Sequence, residues 1–363
     1  MGTKRKVAVG LSGGVDSAVA AAILAGDGFE VLGITMKIWS GAIAVREGAK
    51  HACYGPGEEE DIAECERLAS RLNIEYRVLD LAKLYEERVI DYFRREYLAG
   101  RTPNPCVVCN RELKFGFLVD KARELGLDFD FFATGHYARI EERRGVRFLR
   151  RALVEAKDQS YFLWTLDSAR LSSVLFPLGS LGKDEVRARA RALGLEVADK
   201  PESQDFVAGG DYAPLFSNLR PEPGDFVDEE GRILGRHRGL PFYTIGQRRG
   251  LGISAGPDPL YVLRLDAPSN RVVLGKDGGL FAESVEVSGF RLQDPSMGGA
   301  PLPAWARIRQ SHRPSACMVH AFGDGKARVE FEIAQRAAAP GQSLVLYDAE
   351  GLVLGGGIIE RSV

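Results

Sequence analysis

A glycine-rich loop between a short apolar strand and an alanine-rich helix constrains this chain more than any other feature of its sequence. The loop reads Val9-Gly-Leu-Ser-Gly-Gly-Val-Asp-Ser17 and lies between the predicted strand Lys6–Gly10 and a predicted helix at 18–24. Glycines at these positions let backbone N–H groups approach an anion closely, and the start of the helix adds partial positive charge. The sequence therefore predicts a phosphate-binding loop at the end of the first strand of an α/β fold.

The first two hundred residues show the pattern of a parallel sheet covered by helices, in which short β-branched runs alternate with longer helical ones. Amphipathic helices are predicted at 61–72 and 85–98, where apolar residues recur at spacings of three and four. The strands that we predict in this half are Lys6–Gly10, Glu30–Met36, Tyr76–Asp80 and Phe131–Gly135.

The pattern changes after Lys200, where glycine and proline punctuate short alternating runs and long helical periodicity ends. A further break near Gly275 separates a middle segment from a C-terminal one with strand-like runs at 327–333 and 343–347. We therefore predict three domains: a catalytic α/β domain at 1–206, a central β-rich domain at 207–275 and a C-terminal β-barrel domain at 276–363.

The composition limits the possible compartments and partners. The five cysteines are an odd number, so thiol or metal chemistry in a reducing compartment is a better interpretation than a disulfide framework. Neither a secretory signal nor a membrane-length apolar stretch is present, and we expect a cytoplasmic protein that does not contact membranes. The formal net charge of −2 does not indicate a nucleic-acid-binding protein, so any RNA contact must rely on local basic clusters.

The glycine-rich loop is not a Walker A motif, because no Gly-Lys-Ser/Thr follows it. Its order Ser-Gly-Gly-x-Asp-Ser resembles the PP-loop ATP pyrophosphatase family. The resemblance implies that ATP is cleaved between its α and β phosphates and that the substrate is adenylated on an oxygen. From its place in the loop, Asp16 is predicted to hold Mg²⁺. By pattern alone, Met36 would be a core residue and Gly135 a turn residue. The ATP ligands that the resemblance implies are Gly10, Leu11, Ser12, Gly13, Gly14, Val15, Asp16, Ser17, Met36 and Gly135.

A second set of motifs narrows the resemblance. The segment Gly100-Arg-Thr-Pro-Asn-Pro-Cys-Val-Val-Cys-Asn110, followed by Leu113-Lys-Phe-Gly116, is similar to the signature of the tRNA 2-thiouridylase family, and further motifs match in order along the whole chain. This resemblance implies ATP-dependent 2-thiolation of the wobble uridine of tRNA through an O-adenylated base, with Cys109 as nucleophile. Near the anticodon stem-loop, the implied tRNA contacts are Asn104, Pro105, Cys106, His136, Lys157, Asp158, Gln159, Arg309, Gln310 and Gln342.

Two departures from that family concern the sulfur chemistry. Cys106 stands where the family has an acidic residue, and the segment at 200–207 resembles the family segment with a persulfide cysteine but contains no cysteine. We therefore predict that Cys53, Cys106 and Cys109 hold a [4Fe–4S] cluster whose fourth iron binds sulfide. For Cys106 and Cys109, half of a structural zinc site or a redox pair are the alternatives. The two remaining cysteines, Cys65 and Cys317, are predicted to be structural.

A reactive Cys109 must be partly ionised, and we expect basic Arg111 and Lys114 and a nearby helix N-terminus to lower its pKa. The sulfur would come from a donor protein or from inorganic sulfide. Two other functions remain open: a PP-loop ligase that adenylates a small molecule, and a regulator that binds ATP without turning it over.

Overall fold

The computed structural model describes residues 4–43, 52–200, 205–207, 211–253 and 258–363. The chain forms two compact units, each assembled from separate segments. The first comprises Met1–Val89, Cys106–Asp211 and Gly351–Val353, and the second comprises Ile90–Pro105, Tyr212–Glu350 and Leu354–Val363.

The first unit is built on a parallel sheet. Its strands are β1 (Lys6–Gly10), β2 (Glu30–Lys37), β3 (Ala52–Tyr54), β4 (Glu75–Asp80), β5 (Phe131–Thr134), β6 (Ala138–Arg143), β7 (Val146–Arg151), β8 (Val174–Leu175) and β9 (Asp205–Val207). Five of these form one sheet in the order β4-β2-β1-β5-β8, and every pairing in it is parallel. Two small pairs stand beside it, the parallel pair β3 and β9 and the antiparallel hairpin β6 and β7. The predicted parallel α/β fold is confirmed.

Helices connect the strands. The α-helices are α1 (Val15–Gly26), α2 (Glu58–Leu72), α3 (Ala82–Tyr85), α4 (Asp91–Leu98), α5 (Pro105–Val108), α6 (Leu118–Glu124), α7 (Ser160–Leu163), α8 (Ser168–Leu171) and α9 (Lys183–Ala192). Two wider π-helical stretches join some of them, Glu86–Ile90 after α3 and Cys109–Phe117 between α5 and α6. A central cluster of buried side chains holds β1, α1 and α9 together, and it includes Val7, Ala18 and Val186.

The single helix predicted at 85–98 is wrong, because the structure divides it into α3, a π-helical turn and α4. Buried side chains recur every four residues at Tyr85, Val89, Phe93 and Tyr97. An α-helix has only 3.6 residues per turn, so this spacing drifts off one face unless a wider turn is inserted. The π-helical turn at Glu86–Ile90 supplies that extra residue.

The second unit is rich in β-structure. Its strands are β10 (Gly224–Val227), β11 (Ile233–His237), β12 (Tyr261–Asp266), β13 (Arg271–Gly275), β14 (Phe281–Leu292), β15 (Leu302–Arg307), β16 (Ser315–Ala321), β17 (Ala327–Arg336), β18 (Ser343–Tyr347) and β19 (Val353–Ser362). The first four form a sheet in the order β11-β10-β13-β12, and the last six close into a barrel in the order β14-β17-β16-β15-β18-β19. The predicted β-barrel is confirmed. Within the described ranges, no helix is long and apolar enough to cross a membrane.

Candidate active site

The glycine-rich loop follows β1 and is closed by its own serines. The Ser12 backbone N–H donates to Ser17 Oγ at 3.2 Å, and Ser17 Oγ donates to the carbonyl of Gly14 at 3.1 Å. Gly13 has a φ of +68°, and a Cβ atom there would lie 2.9 Å from the backbone of Asp61. The tight turn therefore needs glycine at 13 both for its conformation and for space.

Asp16 lies at the first turn of α1, and its carboxylate is already engaged. Lys183 Nζ lies 2.8 Å from each of its oxygens, and the Tyr137 hydroxyl donates to Oδ1 at 2.7 Å. The sequence predicted Asp16 as a Mg²⁺ ligand. In this geometry an ammonium and a hydroxyl already interact with the carboxylate oxygens, and the Mg²⁺ assignment stays a prediction.

Gly135 follows β5 and brings a second backbone segment against the loop. A Cβ atom at this position would lie 2.6 Å from the Ser17 backbone nitrogen and 2.7 Å from the Asp16 carbonyl carbon. Only glycine permits this approach. Met36 is the penultimate residue of β2 and is half-buried, so both residues lie at the carboxyl edge of the sheet beside the loop.

Cys65 of α2 is fully buried, as the apolar stripe predicts, but it also contacts the loop. The Gly13 backbone N–H donates to Cys65 Sγ at 3.0 Å. Burial raises the pKa of this thiol, so Sγ stays protonated and acts as a weak, neutral acceptor. A cleft of about 140 Å³ lies beside it, lined in part by Gly13, Arg67 and Arg71. No pattern in the sequence indicates this contact, because 52 residues separate the two partners.

Lys200 supports the loop from another side. Its Nζ donates to the carbonyl of Gly13 at 2.9 Å and to the carboxylate of Asp61 at 2.5 Å. In the sequence, Lys200 marks a change of pattern and begins the segment at 200–207, and nothing there indicates a contact with the loop. Its role depends on folding, since 187 residues separate it from Gly13.

The three cysteines of the predicted cluster all belong to the first unit. Cys109 is buried and begins the π-helical stretch, Cys106 in α5 is half-buried, and Cys53 is exposed. Cys53 was expected in a loop, but it lies in β3, whose partner β9 belongs to the segment that lacks the family's persulfide cysteine. Across the described part of the chain, no group of three or more Cys, His, Asp or Glu side chains could hold a metal ion. The residues as placed therefore do not fit the predicted [4Fe–4S] cluster.

The electrostatics around Cys109 differ from the expectation. Burial raises the pKa of this thiol to about 11, although the positive charge of Lys114 opposes the rise. For Lys114 itself, burial alone would lower the pKa, but the nearby sulfurs of Cys109, Cys53 and Cys106 outweigh it and the net pKa is raised. The prediction of a low Cys109 pKa is wrong because desolvation is the larger effect. What remains correct is the sign of the Lys114 contribution.

His136 follows Gly135 and is half-buried. Its Nδ1 lies 2.8 Å from Thr134 Oγ1, and its ring contacts Phe115 and Phe176 edge-on or tilted. Burial and the charge of Lys114 hold its pKa well below the usual range, so the imidazole stays neutral at physiological pH. As the sequence indicated, His136 lies just after the end of β5, at the carboxyl edge of the sheet.

The segment at 157–159 is attached to the strand end that carries Gly135. Gln159 Oε1 accepts from the Tyr137 backbone N–H at 2.9 Å, and the Gln159 N–H donates to the Tyr137 carbonyl at 2.9 Å. Asp158 is 1% exposed, and its carboxylate accepts from the backbone N–H groups of Ala152 and Ser160. This geometry favours a bracing role for Asp158 over the RNA contact expected from the sequence. Lys157 is half-buried.

The other residues expected to contact tRNA lie in the second unit. Gln342 Nε2 donates to the carbonyls of Thr102 and Pro103 at 3.0 and 3.1 Å, directly before the buried pair Asn104 and Pro105. Gln342 therefore positions the turn that precedes the cysteine motif.

Two neighbouring barrel residues complete that set. Arg309 donates to the carbonyl of Arg336 at 3.1 Å, and the Gln310 carbonyl accepts from Arg307 at 2.7 Å. Arg307 is 6% exposed, so its guanidinium holds the turn together and does not face solvent.

Three known protein families match successive parts of this chain. Residues 5–208 match the family described as the tRNA methyl transferase HUP domain, residues 215–276 the tRNA methyl transferase PRC-barrel domain, and residues 287–359 the Aminomethyltransferase beta-barrel domain. The tRNA-specific 2-thiouridylase MnmA of Acetivibrio thermocellus is 42% identical over 365 residues, which cover 99% of this chain and 100% of the relative.

Two further relatives bear the same name. The protein from Clostridioides difficile is 42% identical and that from Carboxydothermus hydrogenoformans is 43% identical, with 99% of this chain covered in both and 99% and 98% of the relatives. Since these identities extend over nearly the whole of each chain, this chain belongs to the tRNA-specific 2-thiouridylase family.

Proposed function

We propose that this protein catalyses the ATP-dependent 2-thiolation of the wobble uridine of tRNA. The observation that carries the proposal is that one compact unit contains both a phosphate loop at the carboxyl edge of a parallel sheet and the Cys109 helix. Relatives named tRNA-specific 2-thiouridylase support it. The three domains predicted at 1–206, 207–275 and 276–363 belong to the same proposal, and the three family matches support them.

The first step activates the base. The uracil O2 attacks the α-phosphorus of ATP and pyrophosphate leaves, so the oxygen then carries AMP. The backbone N–H groups of the loop and the hydroxyls of Ser12 and Ser17 are suited to hold the phosphates. Gly135 and Met36, at the same sheet edge, are suited to contact the adenosine part.

The second step exchanges oxygen for sulfur. A sulfur nucleophile adds at C2, and AMP departs with the former O2. If the sulfur arrives as a persulfide on Cys109, a mixed disulfide joins Cys109 Sγ to the sulfur on C2. A second thiol must then attack Cys109 Sγ, which releases the 2-thiouridine and leaves a disulfide. An external dithiol supplies the two electrons that reduce it.

Cys53 is suited to be that second thiol. It is exposed, its sulfur is near enough to Cys109 to help raise the pKa of that thiol, and both sulfurs lie near the ammonium of Lys114. Its strand β3 pairs with β9, which belongs to the segment where the family's second cysteine is missing. A cluster does not fit the cysteines as placed, so we assign the sulfur chemistry to thiols. A donor protein's persulfide passes its outer sulfur to the Cys109 thiol and leaves the donor as a thiol, whereas inorganic sulfide would attack C2 directly without a persulfide on Cys109.

The RNA contacts belong to the proposal as well. His136 and Lys157, which are half-buried in the first unit, are suited to meet the target nucleotide, together with Gln159 on the braced segment. The guanidinium of Arg309, in the barrel domain, is suited to bind a phosphate group of the tRNA backbone. In recognition of this kind, the protein binds a base that has left the stack of the RNA loop and reads the shape of the RNA around it.

One assay tests the proposal. Purified protein, a tRNA transcript, ATP, a persulfide donor and a reducing dithiol should yield AMP, pyrophosphate and 2-thiouridine in equal amounts. Cys109→Ser should still form AMP on tRNA but no 2-thiouridine, and Asp16→Asn should form neither. The proposal fails if wild-type protein forms no tRNA-dependent AMP.

The same preparation distinguishes thiol from cluster chemistry. Protein purified without oxygen is analysed for iron and sulfide, and Cys53→Ala, Cys106→Ala and Cys109→Ala are compared for thiolation. Full activity of iron-free protein with a persulfide donor supports the thiol mechanism. Activity that depends strictly on bound iron contradicts it.

A further inference from the structure

The outer face of the C-terminal barrel carries two large apolar side chains that its core does not use. Trp305 of β15 is 38% exposed and Met318 of β16 is 37% exposed. The register pairs Met318 with Pro303, two residues before Trp305, so Trp305 and Met318 are diagonal neighbours on one face of the antiparallel pair. Exposed aromatic and methionine side chains that lie together are typical of surfaces that bind another protein.

A cleft of about 300 Å³ opens at these two side chains. The buried residues Ala304 and Cys317 line it from the barrel side, and Trp305 and Met318 line it from the outer face. Pockets that hold small ligands have volumes of about 300–1,000 Å³. The cleft is therefore large enough for one long side chain of a partner.

Two carboxylates of β17 also line the cleft. Glu330 lies opposite Met318 in the β16–β17 pair and forms ion pairs with Arg328 at 3.2 Å and His320 at 3.5 Å. Glu332 faces the same side two residues later and is exposed, and among the described residues no ion pair involves it. With histidine counted as neutral, Arg328 offsets one carboxylate, and the cleft keeps one negative charge.

The charge of Glu332 is felt at the bottom of the cleft. Burial raises the pKa of the Cys317 thiol to about 12, and the carboxylate of Glu332 adds to this rise. The thiol stays neutral and donates to the carbonyl of Ala304 at 3.4 Å. Cys317 therefore contributes no charge, and Glu332 is the charge that a ligand in the cleft meets.

An indole face and a carboxylate beside one cleft attract the same kind of ligand. Tryptophan is the aromatic side chain that binds cations most strongly, and a carboxylate attracts them by charge. Lysine and arginine also have an aliphatic stem that packs on apolar surface while the charged head meets a polar group. A phosphate would be repelled by Glu332, so the cleft is unsuited to the backbone of RNA.

We propose that this cleft is a docking site for a partner protein that inserts a lysine or arginine side chain flanked by apolar residues. The aliphatic stem packs on Trp305 and Met318, and the cationic head lies between the indole and the carboxylate of Glu332. The inference concerns the barrel alone and rests neither on nucleotide binding nor on sulfur transfer.

The test uses the full chain with ¹³C-labelled methionine methyl groups, observed by NMR. The four methionines are Met1, Met36, Met297 and Met318, and Met318→Leu assigns the signal of Met318. The probe is the peptide acetyl-Leu-Arg-Leu-amide, and the control peptide has glutamate in place of arginine. The arginine peptide should shift the Met318 signal in a saturable way and leave the Met36 signal unchanged. It should bind about tenfold more tightly than the glutamate peptide.

Substitutions in the cleft separate the two attractions. Trp305→Ala should weaken binding of the arginine peptide about 3- to 30-fold, and Trp305→Phe should weaken it less. Glu332→Gln should weaken it about 2- to 5-fold. The matched control is Glu230→Gln, which removes an exposed carboxylate from the turn between β10 and β11 and should leave binding unchanged. If Trp305→Ala does not fold, the two peptides with wild-type protein and Glu332→Gln still decide.

Four results would overturn the inference. The first is that the arginine peptide shifts Met318 no more than the glutamate peptide does, and the second is that Trp305→Ala folds and binds the arginine peptide as tightly as wild type. The third is that a tRNA transcript shifts Met318 and displaces the peptide, which would assign the cleft to RNA. The fourth is that the Met318 signal moves with protein concentration alone, which would make this face an interface between two copies of the chain.

Discussion

The substitution Gly135→Ala tests whether the close approach of two backbones is required for ATP use. A Cβ atom at 135 would lie 2.6 Å from the Ser17 nitrogen and 2.7 Å from the Asp16 carbonyl carbon. Ordinary contacts of this kind begin at 3.4 Å, so the new methyl group is about 0.8 Å too close. Both atoms that it meets are backbone, which cannot rotate out of the way.

The expected losses of stability and of rate in Gly135→Ala depend on how far the surrounding backbone must shift. Overpacking of a filled site costs about 1–3 kcal/mol in the free energy of unfolding. Relief by a shift of the phosphate loop would displace Asp16 and Ser17 by nearly the same 0.8 Å, and a misplacement of about 1 Å costs a rate of the order of 10²-fold. We therefore expect Gly135→Ala to fold, with slightly reduced stability, and to form AMP on tRNA at about one hundredth of the wild-type rate.

The assay is tRNA-dependent release of pyrophosphate, alongside thermal unfolding of the same samples. The matched control is Gly26→Ala at the end of α1, where a Cβ atom meets nothing within 4 Å. That variant should be fully active and no less stable, because alanine is the better helix former by about 1 kcal/mol. Wild-type AMP formation by Gly135→Ala would refute the reasoning, because the backbones would then be free to separate without harm.

Three other predictions use different measurements. Because the pKa of Cys109 is raised to about 11, alkylation of this thiol by iodoacetamide should become about tenfold faster per pH unit between pH 7 and 9. Lys114→Met should slow the alkylation, because the charge of Lys114 lowers the pKa of Cys109. An alkylation rate that levels off near pH 8 would contradict the raised pKa. Because burial lowers the pKa of His136 in the folded protein, the unfolded chain takes up a proton at a higher pH than the folded chain does. Stability that is present above pH 6.5 is therefore lost on acidification, by at most about 1.4 kcal/mol at pH 5.5. His136→Asn should flatten the dependence of thermal unfolding on pH between 7.5 and 5.5, and an unchanged slope would be the wrong result. Gln342→Ala, which frees the carbonyls of Thr102 and Pro103, should lower thiolation more than ATP binding, whereas equal loss of both would assign Gln342 a general structural role.

Local patterns were enough to predict much of the architecture. The strand at Lys6–Gly10 and the strand at Ser343–Tyr347 have the predicted bounds, and the strand before Gly135 ends one residue earlier than expected. These elements are specified by side chains close in sequence, through periodicity and glycine breaks. The hairpin of β6 and β7 was missed, because its charged, half-buried strands give a weak apolar signal.

The site was less predictable wherever its contacts join distant parts of the chain. Lys183 is 167 residues from Asp16, and no spacing in the sequence relates the two. The ionisation of Cys109 was predicted with the wrong sign, since the nearby cation was visible in the sequence but the depth of burial was not. Motifs can indicate which residues take part, whereas packing decides their charge state.

The segmented make-up of the first unit has a consequence for its synthesis. Its last segment, Gly351–Val353, supplies the carbonyl that accepts from the Arg151 backbone N–H, and Leu352 bridges to Arg150. Chains are made from the N-terminus, and contacts between distant segments close late. The ribosome must therefore reach the codons for residues 351–353 before this segment can pair with β7 and complete the first unit. A prematurely terminated product would lack that closing segment, and truncation near residue 340 should give a chain that proteases attack in the hairpin of β6 and β7.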